Sequence, residues 1–155
     1  MTNEAAEYLA SEGLAGFLGG LDSQEDLKTG VDDIYSAVDP ENRVPFRPDA
    51  EDLARLHKII RERRVITVLE FGVGYSTLVM ADALRKNERD YGEFVRGNLR
   101  RRGAFKLYSI DADREFIEHT KSMIPSDLRD LIEFHFSTVS VSTFNDRVAT
   151  FYDRL

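Results

Sequence analysis

Residues 65 to 80, VITVLEFGVGYSTLVM, set an apolar β-branched run, a single glutamate, two closely spaced glycines and a second apolar run in immediate succession. An apolar run with so little interruption is the pattern of a strand covered on both faces in a parallel sheet. Gly72 and Gly74 predict a tight turn directly after it, because glycine reaches backbone conformations closed to other residues. Ser76 or Thr77 is expected to cap the next helix, whose Leu78, Val79, Met80, Ala83 and Leu84 supply apolar surface to lie back on the sheet. Strand, glycine turn and helix N-terminus together form a place for a nucleotide-like ligand, since backbone approaches closely there and amides point outward.

The segments around this unit extend the same pattern. Upstream, Asp49 is placed to cap a helix with Leu53, Leu56, Ile59 and Ile60 on one face, Asp52 in its first turn and Arg61, Arg63 and Arg64 at its end. Downstream, FKLYSIDAD (105–113) reads as a second strand with Asp111 at its C-terminal edge, and Asp113 is suited to cap the following helix through Phe116, Ile117 and Met123 until Pro125 breaks it. SDLRDLIEFHFS then gives a short helical turn and a third strand near 131 to 136, and Thr143 is expected to cap a last helix using Phe144, Val148, Phe151, Tyr152 and Leu155. The order is βαβαβα, which implies an α/β fold with a parallel sheet and right-handed crossovers. Before it, residues 4 to 18 show helical spacing stopped by Gly19-Gly20, a short helix is expected around 24 to 37, and Pro40, Pro45 and Pro48 mark an extended connection. The expected organisation is a helical and extended segment over 1–48 and one α/β domain over 49–155.

With 155 residues, 42% of them hydrophobic, the chain is long enough for one core. Its net charge of −7 disfavours partners held by bulk positive charge, such as duplex nucleic acid or an anionic membrane. Arg96, Arg100, Arg101 and Arg102 form a basic cluster, but one with few interleaved aromatics, and a solvated helix face explains it better than a nucleic-acid patch. The absence of cysteine excludes disulfides, Cys-ligated metals and cysteine catalysis. His57, His119 and His135 have no ligand spacing, so no metal is assigned. The N-terminus is acidic where a signal peptide is basic, and no apolar run reaches membrane-spanning length, so a cytoplasmic protein without a membrane partner is expected.

Two nucleotide readings compete at the glycine turn. A dinucleotide-dehydrogenase fingerprint wants a third glycine where Thr77 stands and an acid about 20 residues on, whereas Asp111 lies nearly twice as far away. Glu70 instead gives acid-x-Gly-x-Gly at the end of the first strand. With VLEFGVGYST, YSIDAD and LRDLIEFHFSTVS in this order, residues 49 to 155 resemble class I S-adenosylmethionine-dependent methyltransferases, most closely the bacterial small-molecule and glycan-type members with LEFGxGxST turns.

That resemblance implies a Rossmann-like sheet, S-adenosylmethionine as cofactor, and methyl transfer to oxygen or nitrogen of a small molecule or sugar. It places Glu70 at the methionine end of the cofactor, Gly72 and Gly74 at close backbone approach with Tyr75, Ser76 and Thr77 beside them, Asp111 on the ribose hydroxyls, and Ser137, Thr138 and Val139 along the adenine, with Thr138 where the family often has Asp. Plainer roles stand beside these: Glu70 capping amides at a strand end, the glycines only permitting a turn, Asp111 capping a helix. The family's sheet has seven strands, so this chain reads as its N-terminal half, with strand order 3-2-1, and catalytic residues are expected beyond residue 155. The first strand would then be an edge, although VITVLEF is patterned for an interior. A fragment of a longer enzyme, a homodimer paired through that strand, and an inactive binding or interaction module all follow, with a dinucleotide binder as a third functional class.

Overall fold

The computed structural model describes residues 3–16, 49–100 and 103–153. The helix expected around 24 to 37, the extended connection after it, Gly19-Gly20, Arg101 and Arg102 lie outside these residues. The chain forms two compact units, Met1–Ala54 and Arg55–Leu155.

In the first unit, helix α1 spans Asn3–Ser11, shorter than the 4-to-18 periodicity predicts. It stops because Gly13 adopts φ +81° and closes a helix-ending motif: its amide donates to Ala10 O at 3.0 Å, and the Leu14 amide to Leu9 O at 2.9 Å. Leu9 and Leu14, the apolar pair that accompanies such an ending, are both buried. Helix α2, Ala50–Glu62, begins as expected, with Asp49 Oδ1 accepting from the Glu51 and Asp52 amides at 2.8 and 3.2 Å.

The second unit is built on a three-stranded parallel sheet, β1 (Thr67–Phe71), β2 (Lys106–Asp111) and β3 (Ile132–Phe136), in the order β1-β2-β3. Helix α3, Tyr75–Asn98, connects β1 to β2, and α4, Arg114–Met123, connects β2 to β3. The charged stretch after Leu84 continues α3 without a break to Asn98. Because the strand order advances steadily, right-handed crossovers put both helices on one face of the sheet, where they also touch each other. Register makes the faces explicit: Glu70 pairs with Ser109 and Val68 with Leu107, and these point toward the helices. Leu69 and Phe71 alternate with them and face the other way, each 55% exposed. The expectation of a first strand covered on both faces is therefore corrected. Among the described residues β1 is an edge strand, as the 3-2-1 order requires; its helix-facing side is packed, and its other side stays largely exposed.

Helix α2 is locked to α3 by buried polar groups. Asn87, fully buried, donates through Nδ2 to Ile60 O and Val65 O, both at 2.9 Å, and its Oδ1 accepts from Arg61 Nη1 at 2.6 Å. The Ile60 carbonyl near the end of α2 thus gains a side-chain donor beside the Val65 amide, and the Val65 carbonyl just beyond the helix gains the other. His57, also fully buried, lies 2.8 Å from Asp82 Oδ2, and Lys86 Nζ lies 2.6 Å from the same atom. Burial alone would raise the Asp82 carboxyl, but hydrogen bonds from His57 and Lys86 outweigh it and hold the group below the usual range.

The largest departure from sequence expectation lies at the C-terminal end. The last helix does not form. Strands β4 (Val139–Phe144) and β5 (Arg147–Tyr152) make an antiparallel hairpin, Val139 opposite Tyr152 and Phe144 opposite Arg147. The physical reason is the Asn145-Asp146 pair: φ values of +50° and +60° give the tight two-residue turn whose twist suits a hairpin. The flanking residues, VSVSTF and RVATFY, are β-branched and alternating, which favours strand over helix. The final helix of the expected βαβαβα order is accordingly replaced by this hairpin. Among the described residues no helix is long and apolar enough to cross a membrane.

Candidate functional site

The site is assembled where β1, β2 and β3 end. Gly72 continues the ladder, its amide donating to Ile110 O at 2.8 Å, and turns the chain with φ +90°. A Cβ on Gly72 or Gly74 would meet no atom within 4 Å, so glycine is required at Gly72 by backbone conformation while the space beside both residues stays open. The Val73 amide then donates to Asp111 Oδ2 at 3.0 Å, tying the turn to the end of β2. The other oxygen of Asp111 accepts from the Asp113 amide at 2.8 Å, and the Asp111 carbonyl accepts from the Ser137 amide at 3.0 Å. Asp111 therefore joins all three strand exits.

Helix α3 starts with Gly74 as its N-cap residue, not Ser76 or Thr77. Both hydroxyls lie in the first turn and are drawn to a carboxylate below it: Ser76 Oγ donates to Glu70 Oε1 at 2.6 Å and Thr77 Oγ1 to Glu70 Oε2 at 2.8 Å. Thr77 Oγ1 also accepts from the Gly74 amide at 3.0 Å, so it relays the strand-end acid to the glycine turn. Ser109 Oγ adds a third bond to Glu70, at 2.7 Å to Oε2. Glu70 is only 8% exposed and sits under the turn rather than on an open wall. Burial pushes its carboxyl above the usual range; the Ser76, Ser109 and Thr77 bonds oppose that rise, and the Asp111 charge adds to it. The amides of Tyr75 and Ser76 belong to the first helical turn, where no intrahelical acceptor exists.

The exit of β3 is arranged differently from its expected use. Ser137 is buried, and its hydroxyl donates to the Thr138 carbonyl at 3.3 Å. Thr138 Oγ1 donates to Asp153 Oδ2 and Ser140 Oγ to Asp153 Oδ1, both at 2.6 Å, while the Asp153 amide returns to Thr138 O at 2.9 Å. Val139 opens β4 and is 40% exposed. The end of β5 thus brings a carboxylate to Thr138, and its neighbour Tyr152 stacks on Phe71 with ring centroids 5.2 Å apart. Asp113 caps α4 as expected, accepting from the Glu115 and Phe116 amides at 2.8 and 3.3 Å.

The structure brings Glu70, Gly72, Gly74, Ser76, Thr77 and Asp111 into one bonded constellation. Ser109, Tyr152 and Asp153 are the participants that sequence reasoning missed. Ser109 left a signal, being a polar residue inside a strand at the register position opposite Glu70. Tyr152 and Asp153 leave none, because the helical spacing of Phe144, Val148 and Phe151 conceals the hairpin. A separate cleft of about 460 Å³ lies between α4 and β3, lined by Glu118, Lys121, Ser122, Arg129 and Phe134. It includes no residue of the turn, and its cations are engaged: Lys121 Nζ contacts Glu118 Oε1 at 2.8 Å, and Arg129 Nε donates to Ile124 O at 3.0 Å. No protein-family model, curated protein or solved structure matches the chain.

Proposed function

We propose that residues 49–155 are the donor-binding part of an S-adenosylmethionine-dependent methyltransferase with a Rossmann-like sheet, acting on oxygen or nitrogen of a small molecule or sugar. The observation that carries this reading is the closure of Asp111 on the Val73 amide, which sets a carboxylate directly beside an open glycine turn. Each Asp111 oxygen accepts one amide hydrogen bond here and retains a lone pair for a second donor. A vicinal diol supplies two such donors, and charge-assisted hydrogen bonds to it are each worth about 1.5–3 kcal/mol. Amides of Tyr75 and Ser76 at the start of α3 suit a polar or anionic ligand end. The donor set fits a nucleoside carrying an amino-acid tail.

In this reading, when bound, the cofactor supplies a methyl group activated on a sulfonium, so the protein's task is alignment and exclusion of water. Glu70 serves by positioning: through Thr77 it holds the Gly74 amide, and through Ser76 the first turn of α3. Asp111 binds, and the glycine turn admits the ligand backbone-close. Acceptor-side chemistry is not assigned to any residue of this chain.

A non-catalytic scaffold is the second reading. It is favoured by the saturation of the turn from within: the Gly72, Val73 and Gly74 amides and both Glu70 oxygens all have partners in the protein. Calorimetric titration with S-adenosylhomocysteine and separately with NAD decides between them. Heat with the former alone supports the donor site, heat with NAD alone supports a dinucleotide binder, and a folded sample silent to both leaves the scaffold.

A further inference from the structure

The C-terminal hairpin returns the chain to the site it has just left. Thr138 at the exit of β3 and Asp153 at the end of β5 are joined by a backbone and a side-chain hydrogen bond, so the base of the hairpin is closed beside Ser137, whose amide is bonded to Asp111. Closure there delivers Tyr152, half-buried, onto the ring of Phe71, the residue immediately before Gly72. The rings are stacked with 26° between their planes. The Asp111 charge reaches Tyr152 as well: burial first and that charge second push the phenol above its ordinary range.

We propose that Tyr152 is a ligand-contacting wall of the glycine-turn crevice, recruited by the hairpin, and that it stacks the heterocyclic base of a nucleoside whose diol is held by Asp111. The proposal rests on the donor-site reading above and adds a specificity residue to it. Stacking suits this position because an aromatic ring offers a π face to any planar base, while its polar tip keeps contact with water or ligand. Phe71 holds one face of the ring by stacking and the Asp153 bonds anchor the backbone one residue on, so little order remains to be imposed on binding.

The test uses the full chain and two probes, S-adenosylhomocysteine and adenosine, titrated calorimetrically into the native protein, Tyr152→Phe and Tyr152→Leu, each checked for folding by circular dichroism. Tyr152→Leu is expected to bind both probes about tenfold more weakly, about 1.4 kcal/mol, and Tyr152→Phe within about twofold of the native protein. A measurement that needs no destabilising change runs alongside: the Tyr152 ring resonances, assigned by their loss in Tyr152→Phe, are expected to move on adding adenosine. Native binding with unmoved Tyr152 resonances, or equal or tighter binding by folded Tyr152→Leu, overturns the wall and leaves the donor site standing. Absence of binding by the native protein overturns both.

Discussion

Asp111 at the end of β2 accepts a hydrogen bond from the backbone amide of Val73, 3.0 Å away and 38 residues earlier in the chain. This single bond converts two strand ends into one site. The carboxylate has a second structural duty to the Asp113 amide, so its removal must register in stability as well as in ligand affinity. Asp111→Ala is expected to weaken S-adenosylhomocysteine binding by tenfold or more and to lower folding stability by about 1–3 kcal/mol. Calorimetric affinity and denaturant unfolding measure the two separately. An Asp111→Ala protein with unchanged affinity would remove this residue from the ligand site.

Glu70 gives the pH dependence its sign. Its folded-state carboxyl is raised above the ordinary value of 4.5. A raised acid favours the folded state in its protonated form, so its contribution is fully present below that ordinary value and fades as pH climbs through the raised folded one. Glu70→Gln keeps the shape and removes the titration. The stability of the native protein relative to Glu70→Gln should therefore be greatest near pH 4 and decline toward pH 7, a trend read from unfolding curves at a series of pH values. A difference that is flat with pH, or grows toward neutrality, would show that the three hydroxyl donors dominate over burial.

Asn87 is the polar group on which the α2–α3 junction depends. Replacing it with Leu preserves bulk but strands the Val65 carbonyl, leaves the Ile60 carbonyl only its bond from the Val65 amide, and removes the acceptor for Arg61 Nη1. The expected loss is about 2–4 kcal/mol, since buried groups left without partners each cost about 1–3 kcal/mol. Urea unfolding at constant m-value tests it. Arg61→Leu leaves both carbonyls bonded to Asn87 but strands the buried Asn87 Oδ1, so it should cost about 1–3 kcal/mol on its own.

Strands β1, β2 and β3 and their order are legible because short apolar or alternating segments separated by glycine, acid and proline signals have few other solutions. The caps Asp49 and Asp113 were equally plain, each being an acid just ahead of an amphipathic stretch. Ser76 and Thr77 depart from the capping expectation because capping rules consider a hydroxyl and its own backbone, whereas here a carboxylate six or seven residues earlier accepts from both hydroxyls. Asn87 could not be found from spacing: it matters only because α3 packs across the end of α2. The hairpin departs from expectation for a different reason. Phe144, Val148 and Phe151 recur at helical intervals, yet the alternation of VSVSTF and the Asn-Asp pair favoured a strand and a tight turn.

That turn supplies a last and independent check on the hairpin. Asn145 and Asp146 both hold positive φ, a region that costs an ordinary residue about 1–2 kcal/mol and glycine little. Asp146→Gly relieves that cost but gives the unfolded chain more freedom, so the net gain expected is about 0.5 kcal/mol. Asp146→Val, β-branched at φ +60°, should instead lose 1 kcal/mol or more. Hydrogen exchange resolves the effect locally: amide protection in β4 and β5 should rise about twofold in the glycine variant and fall in the valine variant, with β1 to β3 unchanged. If Tyr152 is held on Phe71 by the hairpin, its ring resonances should broaden or shift in Asp146→Val and remain sharp in Asp146→Gly. Protection that changes equally in all five strands would mean that the hairpin does not open on its own.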